Sequence, residues 1–229
     1  MTDGTVGDEP GTERTLPPWW VVLLVGLAIA AVAFAIGRFS TFGIAGSTPG
    51  EGSADAGFAR DMQMHHAQAV DMAMTIYAET DDDELRALAY DIATGQSSQR
   101  GEMLDWLVRW GLPQYDDQPM AWMAASDSSG HAHAGADGEP LSDGEVREQM
   151  GMASDAELAA LKAATGQQAD CSFLTLMIRH HEGAIPMAEA AVDLASDERV
   201  RTVAQTMIKG QSFEIQAMTS MQQRLGCSG

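Results

Sequence analysis

One stretch of the sequence occurs twice. DAGFARDMQMHHAQAVDMA, residues 55–73, returns as DCSFLTLMIRHHEGAIPMA, residues 170–188, shifted by 115 positions. The register holds without a gap beyond the motif, through Arg86/Arg201, Gln96/Gln211, Met103/Met218 and Gly111/Gly226. A repeat this regular is one supersecondary unit used twice, and it narrows the fold more than any property of the whole chain. Within each copy the apolar positions keep a helical rhythm. Phe58, Met62, His65, Ala69, Met72 and Ile76 form one stripe; Phe173, Met177, His180, Ala184, Met187 and Ala191 form the other. Steps of four and three residues stay on one face of a 3.6-residue helix. His65 and His180 therefore point inward with the apolar residues, while His66 and His181 lie about 100° around, at the edge of the stripe.

Four long helices follow. The first is expected over about 55–79. The second runs from the acidic segment 81–84, which suits a positive helix N-terminus, to about Trp110, where Gly111-Leu112-Pro113 stops it. The third is expected over about 170–195 and the fourth over about 197–225. Inward positions on the second are Leu85, Leu88, Ile92, Gln96, Gln99, Met103 and Trp106 or Leu107; on the fourth, Val200, Val203, Met207, Gln211, Glu214, Met218 and Leu225. Neither hairpin can bury its stripe alone, so the expected fold is all-α: a four-helix bundle of two repeated hairpins with one long crossover. Its pseudo-twofold axis would bring both histidine doublets to the interior. Asp55 and Asp170 read as helix N-caps, and Asp82/Arg86 and Asp197/Arg201 as surface ion pairs at i,i+4. Ser142 and Ser154 each open a capping box, predicting two short helices in the crossover. Pro186, inside the third helix, should bend it just after His181.

The expected organisation is a disordered tail (1–16), a transmembrane anchor (17–38), a linker (39–54) and the bundle (55–229). Within the bundle the repeats are 55–111 and 170–226 and the crossover is 112–169. Trp19 to Gly37 carries no charge and gives about 28 Å of helix at ~1.5 Å per residue, close to a bilayer core of roughly 30 Å. The Trp19-Trp20 pair suits the interfacial belt and Arg38 can snorkel. A cleaved signal peptide is the alternative, but the leading segment is long and acidic rather than short and basic. The two cysteines, Cys171 and Cys227, stand at the open ends of the third and fourth helices, which meet in an antiparallel hairpin. A disulfide there would place the bundle outside the cytosol; two unpaired thiols are the other option.

Formal net charge is −20, from 13 basic and 33 acidic residues, which argues against nucleic acid as a partner. No Ser-His-Asp order, phosphate loop or zinc-type cysteine cluster occurs. What chemistry there is rests on His65, His66, His180 and His181. Buried imidazoles need partners, and Gln96, Gln99, Gln211 and Glu214 are placed to orient or satisfy them. Glu-x-x-His, the mark of di-iron bundles, is absent; Met62-x-x-His65 and Met177-x-x-His180 stand instead. Thioether with imidazole favours copper, especially Cu(I), making Met62, Met72, Met177 and Met187 candidate ligands and Glu214 a ligand or an orienting group. A methionine stripe is also ordinary core filling. His131-x-His133 and Met150-Gly-Met152 are weaker candidates in the crossover.

The pattern Asp-x2-Phe-x3-Met-x2-His-His-x2-Ala-x2-Met-Ala resembles domain-of-unknown-function family 305. Asp55, Phe58, Met62, His65, His66, Ala69, Met72 and Ala73 carry it, as do Asp170, Phe173, Met177, His180, His181, Ala184, Met187 and Ala188. The run from Met150 to Leu158 before the second copy resembles the family too. The resemblance implies a ferritin-like bundle, extracytoplasmic in most members, with copper binding and tolerance in some relatives. The expected protein is thus membrane-anchored and extracytoplasmic. Its partners are a transition-metal ion, copper favoured, and the lipid bilayer, and its task is capture or buffering rather than catalysis. The rivals are a metal-free structural or sensor module built on the His–Gln–Glu network and a ferritin-like oxidoreductase.

Overall fold

The computed structural model describes residues 18–44, 48–115, 118–125 and 142–227. The predicted tail and the His131/His133 pair lie outside the described residues. The chain divides into two compact units, residues 1–48 and 49–229.

The first unit holds α1 (Trp19–Ile44), with Trp19, Trp20, Val22, Leu23, Leu24, Val25, Leu27, Ile29, Val32 and Phe34 exposed. Among the described residues no helix is long and apolar enough to cross a membrane. The transmembrane expectation for residues 17–38 is therefore not supported among the described residues.

The second unit carries α2 (Ala54–Glu79), α3 (Asp83–Trp110), a 3-10 turn (Ala121–Ala125), α4 (Asp143–Gln149), α5 (Asp155–Ala163), α6 (Gly166–Leu194) and α7 (Glu198–Leu225). Among the described residues there are no strands. α2 packs on α3, α6 packs on α7, and α2 and α6 pack on each other. The two copies use the same stop and start devices. Asp82 caps α3 by accepting from Leu85 N, and Asp197 caps α7 by accepting from Arg199 N and Val200 N. Gly111 and Gly226 close the two hairpins in the left-handed region at φ 69° and 67°, where a side chain would be strained. Both capping boxes form, at Ser142/Glu145 and Ser154/Glu157. The expected cysteine pair is a disulfide, Cys171–Cys227, with Cα atoms 5.4 Å apart.

Three local expectations change. α6 starts at Gly166, one turn before Asp170, so Asp170 lies inside the helix and caps nothing. Asp55 does not cap its own helix either. Ser53 does that, while the buried Asp55 carboxylate accepts from Ser196 N, Ser196 Oγ and Asp197 N, tying the α6–α7 turn to α2. Arg86 and Arg201 are not surface partners of Asp82 and Asp197. They donate to the carbonyls of the turns they follow, Tyr77 and Thr80 in one copy, Ala195 and Ser196 in the other. Those carbonyls at the helix ends need donors, and the guanidinium supplies several at once. α6 runs through Pro186 to Leu194, and Met187, Ala188, Ala190 and Ala191 are buried beyond it.

The core is not one apolar mass. One cluster combines Met62, Met103, Leu107, Met187 and Met207 at one end; the other combines Met72, Leu85, Ile92, Phe173, Met177 and Met218 at the opposite end. On each long helix the residues that fall between the two clusters are polar: His65 and His66, Gln96 and Gln99, His180 and His181, Gln211 and Glu214. The repeat thus builds a polar layer across the middle of the unit.

Candidate metal centre

All four imidazoles are fully buried. His66 and His181, expected at the edge of the stripe, are as enclosed as His65 and His180, because α3 and α7 cover that edge. The rings of His65 and His180 lie 3.6 Å apart, centroid to centroid, tilted by 35°. His65–His66 and His180–His181 are separated by 6.4 and 6.2 Å, each with a 53° tilt. The duplicated sequence has produced a duplicated geometry about the central pair.

Hydrogen bonds fix the state of these rings. His66 Nε2 donates to Gln99 Oε1 at 2.7 Å, and His181 Nε2 donates to Glu214 Oε2 at 2.7 Å. His65 Nε2 donates to the Met150 carbonyl at 2.9 Å, and His180 Nε2 to the His65 carbonyl at 3.1 Å. Each acceptor is an oxygen, so each ring carries a proton on Nε2, and the neutral imidazole then presents its lone pair at Nδ1. All four Nδ1 atoms are buried without a hydrogen-bond partner, as are Gln96 Oε1 and Gln211 Oε1. Buried polar atoms are satisfied as a rule; this layer has an excess of acceptors with nothing to donate to them.

Burial also disfavours the charged form of three of the rings. Desolvation, first of all, lowers the pKa of His65 to about 4 and that of His66 to about 3, and pushes His180 well below its ordinary value. The neighbouring histidines push in the same direction. Neutral imidazoles with fixed tautomers are ready ligands, needing no proton removal near pH 7.

The Met150 carbonyl reaches His65 because the segment between α4 and α5 lies across both doublet helices. Gln68 on α2 holds it through a paired amide contact, Nε2 to Ala153 O at 2.8 Å and Ala153 N to Oε1 at 2.7 Å. Arg179 on α6 donates to Gly151 O and Met152 O and pairs with Glu157. The approach requires glycine on both sides: a Cβ on Gly183 would collide with the Met150 carbonyl, and one on Gly151, at φ 71°, with the Arg179 carbonyl. Met150 and Met152 are buried here.

The structure brings together His65, His66, His180, His181, Gln99 and Glu214, as the repeat predicts. Glu214 meets His181 in the way Gln99 meets His66, as an orienting acceptor. Met62, Met72, Met177 and Met187 are fully buried in the two apolar clusters on either side of the layer. Gln68 and Gly183 were not expected from the sequence, and Met150, a weaker ligand candidate there, meets His65 through its carbonyl. Gly183 stands three residues after His180, where the first copy has Gln68, and that mismatch was the available signal. Among the described residues, no three or more His, Cys, Asp or Glu side chains are grouped to hold a metal ion. An ion entering the layer would draw on imidazole nitrogen together with thioether sulfur. The orphaned Nδ1 atoms in a methionine-rich interior fit that donor set.

The family model of the domain of unknown function DUF305 matches residues 55–222. The chain belongs to this family. No curated protein matches it. Among solved structures, the DUF305 chain resembles a candidate secreted family member from Streptomyces coelicolor, 38% identical, with TM-score 0.66, covering 78% of this chain and 98% of the other. A DUF305 fragment from Deinococcus radiodurans is 32% identical, with TM-score 0.60 and coverage of 75% and 96%. CopM in its Cu(I)-bound form is 25% identical, with TM-score 0.52 and coverage of 74% and 96%.

Proposed function

We propose that this DUF305 protein captures a soft monovalent transition-metal ion, copper(I) first, outside the cytoplasm. One observation carries the reading: four buried imidazoles have every Nε2–H committed to an oxygen acceptor and every Nδ1 without a partner. Acceptors fixed from behind and empty in front are what an imidazole metal site requires. Met62, Met72, Met177 and Met187, above and below the layer, supply the sulfur that selects Cu(I) over harder cations. The Cu(I)-bound form of CopM supports the choice of metal. The disulfide and the candidate secreted relative support an oxidising compartment. Attachment to a bilayer through α1 is the finer part of the reading, supported by the charge-free run from Trp19 to Gly37. Fractionation of cells expressing the full chain tests it, and recovery of all the protein in the soluble fraction overturns it.

The central test is a Cu(I) titration of the full chain against a competing chelator under reducing conditions. Replacing His65, His66, His180 and His181 with Ala should abolish high-affinity binding. Because that variant empties the core layer, Met62→Leu with Met177→Leu, which preserves volume, provides a folded companion and should weaken Cu(I) binding. Unchanged affinity in both variants would end the proposal.

A metal-free structural or sensor module is the second reading, favoured by the satisfied Nε2–H groups and by the lack of a three-residue His/Cys/Asp/Glu group among the described residues. It expects no bound metal in protein isolated from its native membrane or medium.

A further inference from the structure

The two halves of the polar layer are copies in geometry but not in charge. Position by position in the repeat, Gln99 becomes Glu214 and Arg100 becomes Ile215. His66 therefore donates to a neutral amide, and His181 to a carboxylate, at the same 2.7 Å. Beside His66 stands the guanidinium of Arg100, whose charge helps keep that ring unprotonated and whose Nε is buried without a partner. Beside His181 the corresponding position is aliphatic. The layer carries a positive group at one end and a negative group at the other.

We infer that Glu214 makes the second copy load first: a monovalent soft cation enters at the His180/His181 half with the Glu214 carboxylate as its counter-charge, and the His65/His66 half fills afterwards. This rests on the metal-capture reading. A carboxylate behind an imidazole N–H raises the electron density at the opposite nitrogen and fixes the ring for an incoming ion. Burying a bare cation among neutral groups carries a large desolvation penalty. One carboxylate offsets one positive charge, so a monovalent ion leaves the second half of the layer neutral and a divalent ion leaves it positive. In the first half the ion meets Arg100 with no carboxylate to answer it. The 3.6 Å contact between the His65 and His180 rings then couples the halves, because an ion held on one ring repels an ion approaching its neighbour. Glu214 acts here as a positioning residue through His181.

The test uses Ag(I), a redox-silent probe of the same charge, titrated into the full chain with 15N-labelled histidine. Substoichiometric Ag(I) should shift the Nδ1 resonances of His180 and His181 before those of His65 and His66. Glu214→Gln should weaken the first binding step by roughly 10-fold or more, the range for losing such an outer partner, and erase the order. The first copy already holds a Gln in this position, so this variant keeps its hydrogen bond. Gln99→Glu should strengthen binding at the first half, and Glu214→Asp should retain the order. A wild-type chain whose four histidines respond together, or whose first half responds first, overturns the inference, as does a Glu214→Gln variant with unchanged affinity and order. In all three cases metal capture itself stands. Failure of both Ag(I) and Cu(I) to bind the wild-type chain removes the capture reading and this inference with it.

Discussion

The α2/α3 hairpin and the α6/α7 hairpin share a frame and diverge at three kinds of place. At their open ends, Ala56 and Leu112 lie in one apolar cluster in the first copy, and the corresponding positions are the disulfide-bonded Cys171 and Cys227 in the second. On the outer face, the first copy has Arg60 and Asp61, which anchor the crossover: Arg60 donates to Pro113 O and Glu51 O, and Asp61 accepts from Met120 N and Trp122 Nε1. The second copy has Thr175 and Leu176 there. At the layer, Gln99 faces Glu214. The shared positions build helices and burial. The diverged ones close the ends, dock the connection and set the charge of the site. The candidate ligands themselves are shared, as His65/His180, His66/His181, Met62/Met177 and Met72/Met187, so divergence between the copies shows how the two halves of the site differ.

The comparison is tested most forcefully by acid. His65, His66 and His180 have folded-state pKa values below their unfolded ones. The unfolded chain then binds more protons between about pH 6.5 and the folded values, so stability is full above pH 6.5 and is lost as pH falls toward 4 and 3. Each histidine contributes up to about 1.4 kcal/mol per pH unit in that window, which makes this the largest effect expected. Denaturant midpoints of the metal-free chain from pH 7 to pH 4 measure it. A flat profile would show that the rings are not buried as neutral groups. Gln99→Glu sharpens the test: a carboxylate behind His66 raises that ring's folded pKa and should make the acid loss smaller.

Removing the disulfide by copying the first hairpin into the second, Cys171→Ala with Cys227→Leu, should lower stability by roughly 4 kcal/mol on the chain-entropy model, less whatever the added leucine recovers. Thermal or urea unfolding checks it. If the variant matches the wild type, the open end of the second hairpin is held by packing alone, as in the first.

Next comes the strap over the layer. Gly183→Ala forces a methyl into the Met150 carbonyl and should destabilise by about 3 kcal/mol, as overpacking against backbone does. Gln68→Ala, at the corresponding place in the first copy, loses two hydrogen bonds and should destabilise by about 1–2 kcal/mol. If Gly183→Ala unfolds at the wild-type midpoint, the segment is not pinned between the doublet helices.

These pairs also show what could be read without coordinates. The steps of four and three residues in Phe58–Ile76 and Phe173–Ala191 placed the helices and the inward histidines, because helical periodicity is a local property. Cys171 and Cys227 were legible because an antiparallel hairpin fixes which ends meet. Asp55, Asp61 and the Met150 carbonyl were not, since each acts on a segment far away in the chain, and nothing local distinguishes an aspartate that caps its own helix from one that holds another's turn. The early start of α6 was a missed local signal: Thr165 with Gln168 three residues on has the spacing of a capping box, although Thr165 makes no side-chain cap bond.

The smallest expected effect lies at the surface link between the hairpins. Arg224 at the end of α7 forms two hydrogen bonds to Asp82 at the start of α3, at 2.7 and 2.8 Å. The repeat-related pair does not form: Arg109 bonds Asp105 within its own helix, and Asp197 is occupied as a cap. If such links held the two copies together, Arg224→Gln would loosen the unit and Arg109→Gln would not. Exposed ion pairs gain little over their solvated, mobile side chains, whereas the layer's histidines and the two apolar clusters are buried. Both variants should therefore unfold within error of the wild type, and raising the salt concentration should leave their midpoints together. A clear drop for Arg224→Gln alone, relieved by neither salt nor pH, would move the source of inter-hairpin cohesion from the buried α2/α6 contact to the α3/α7 rim.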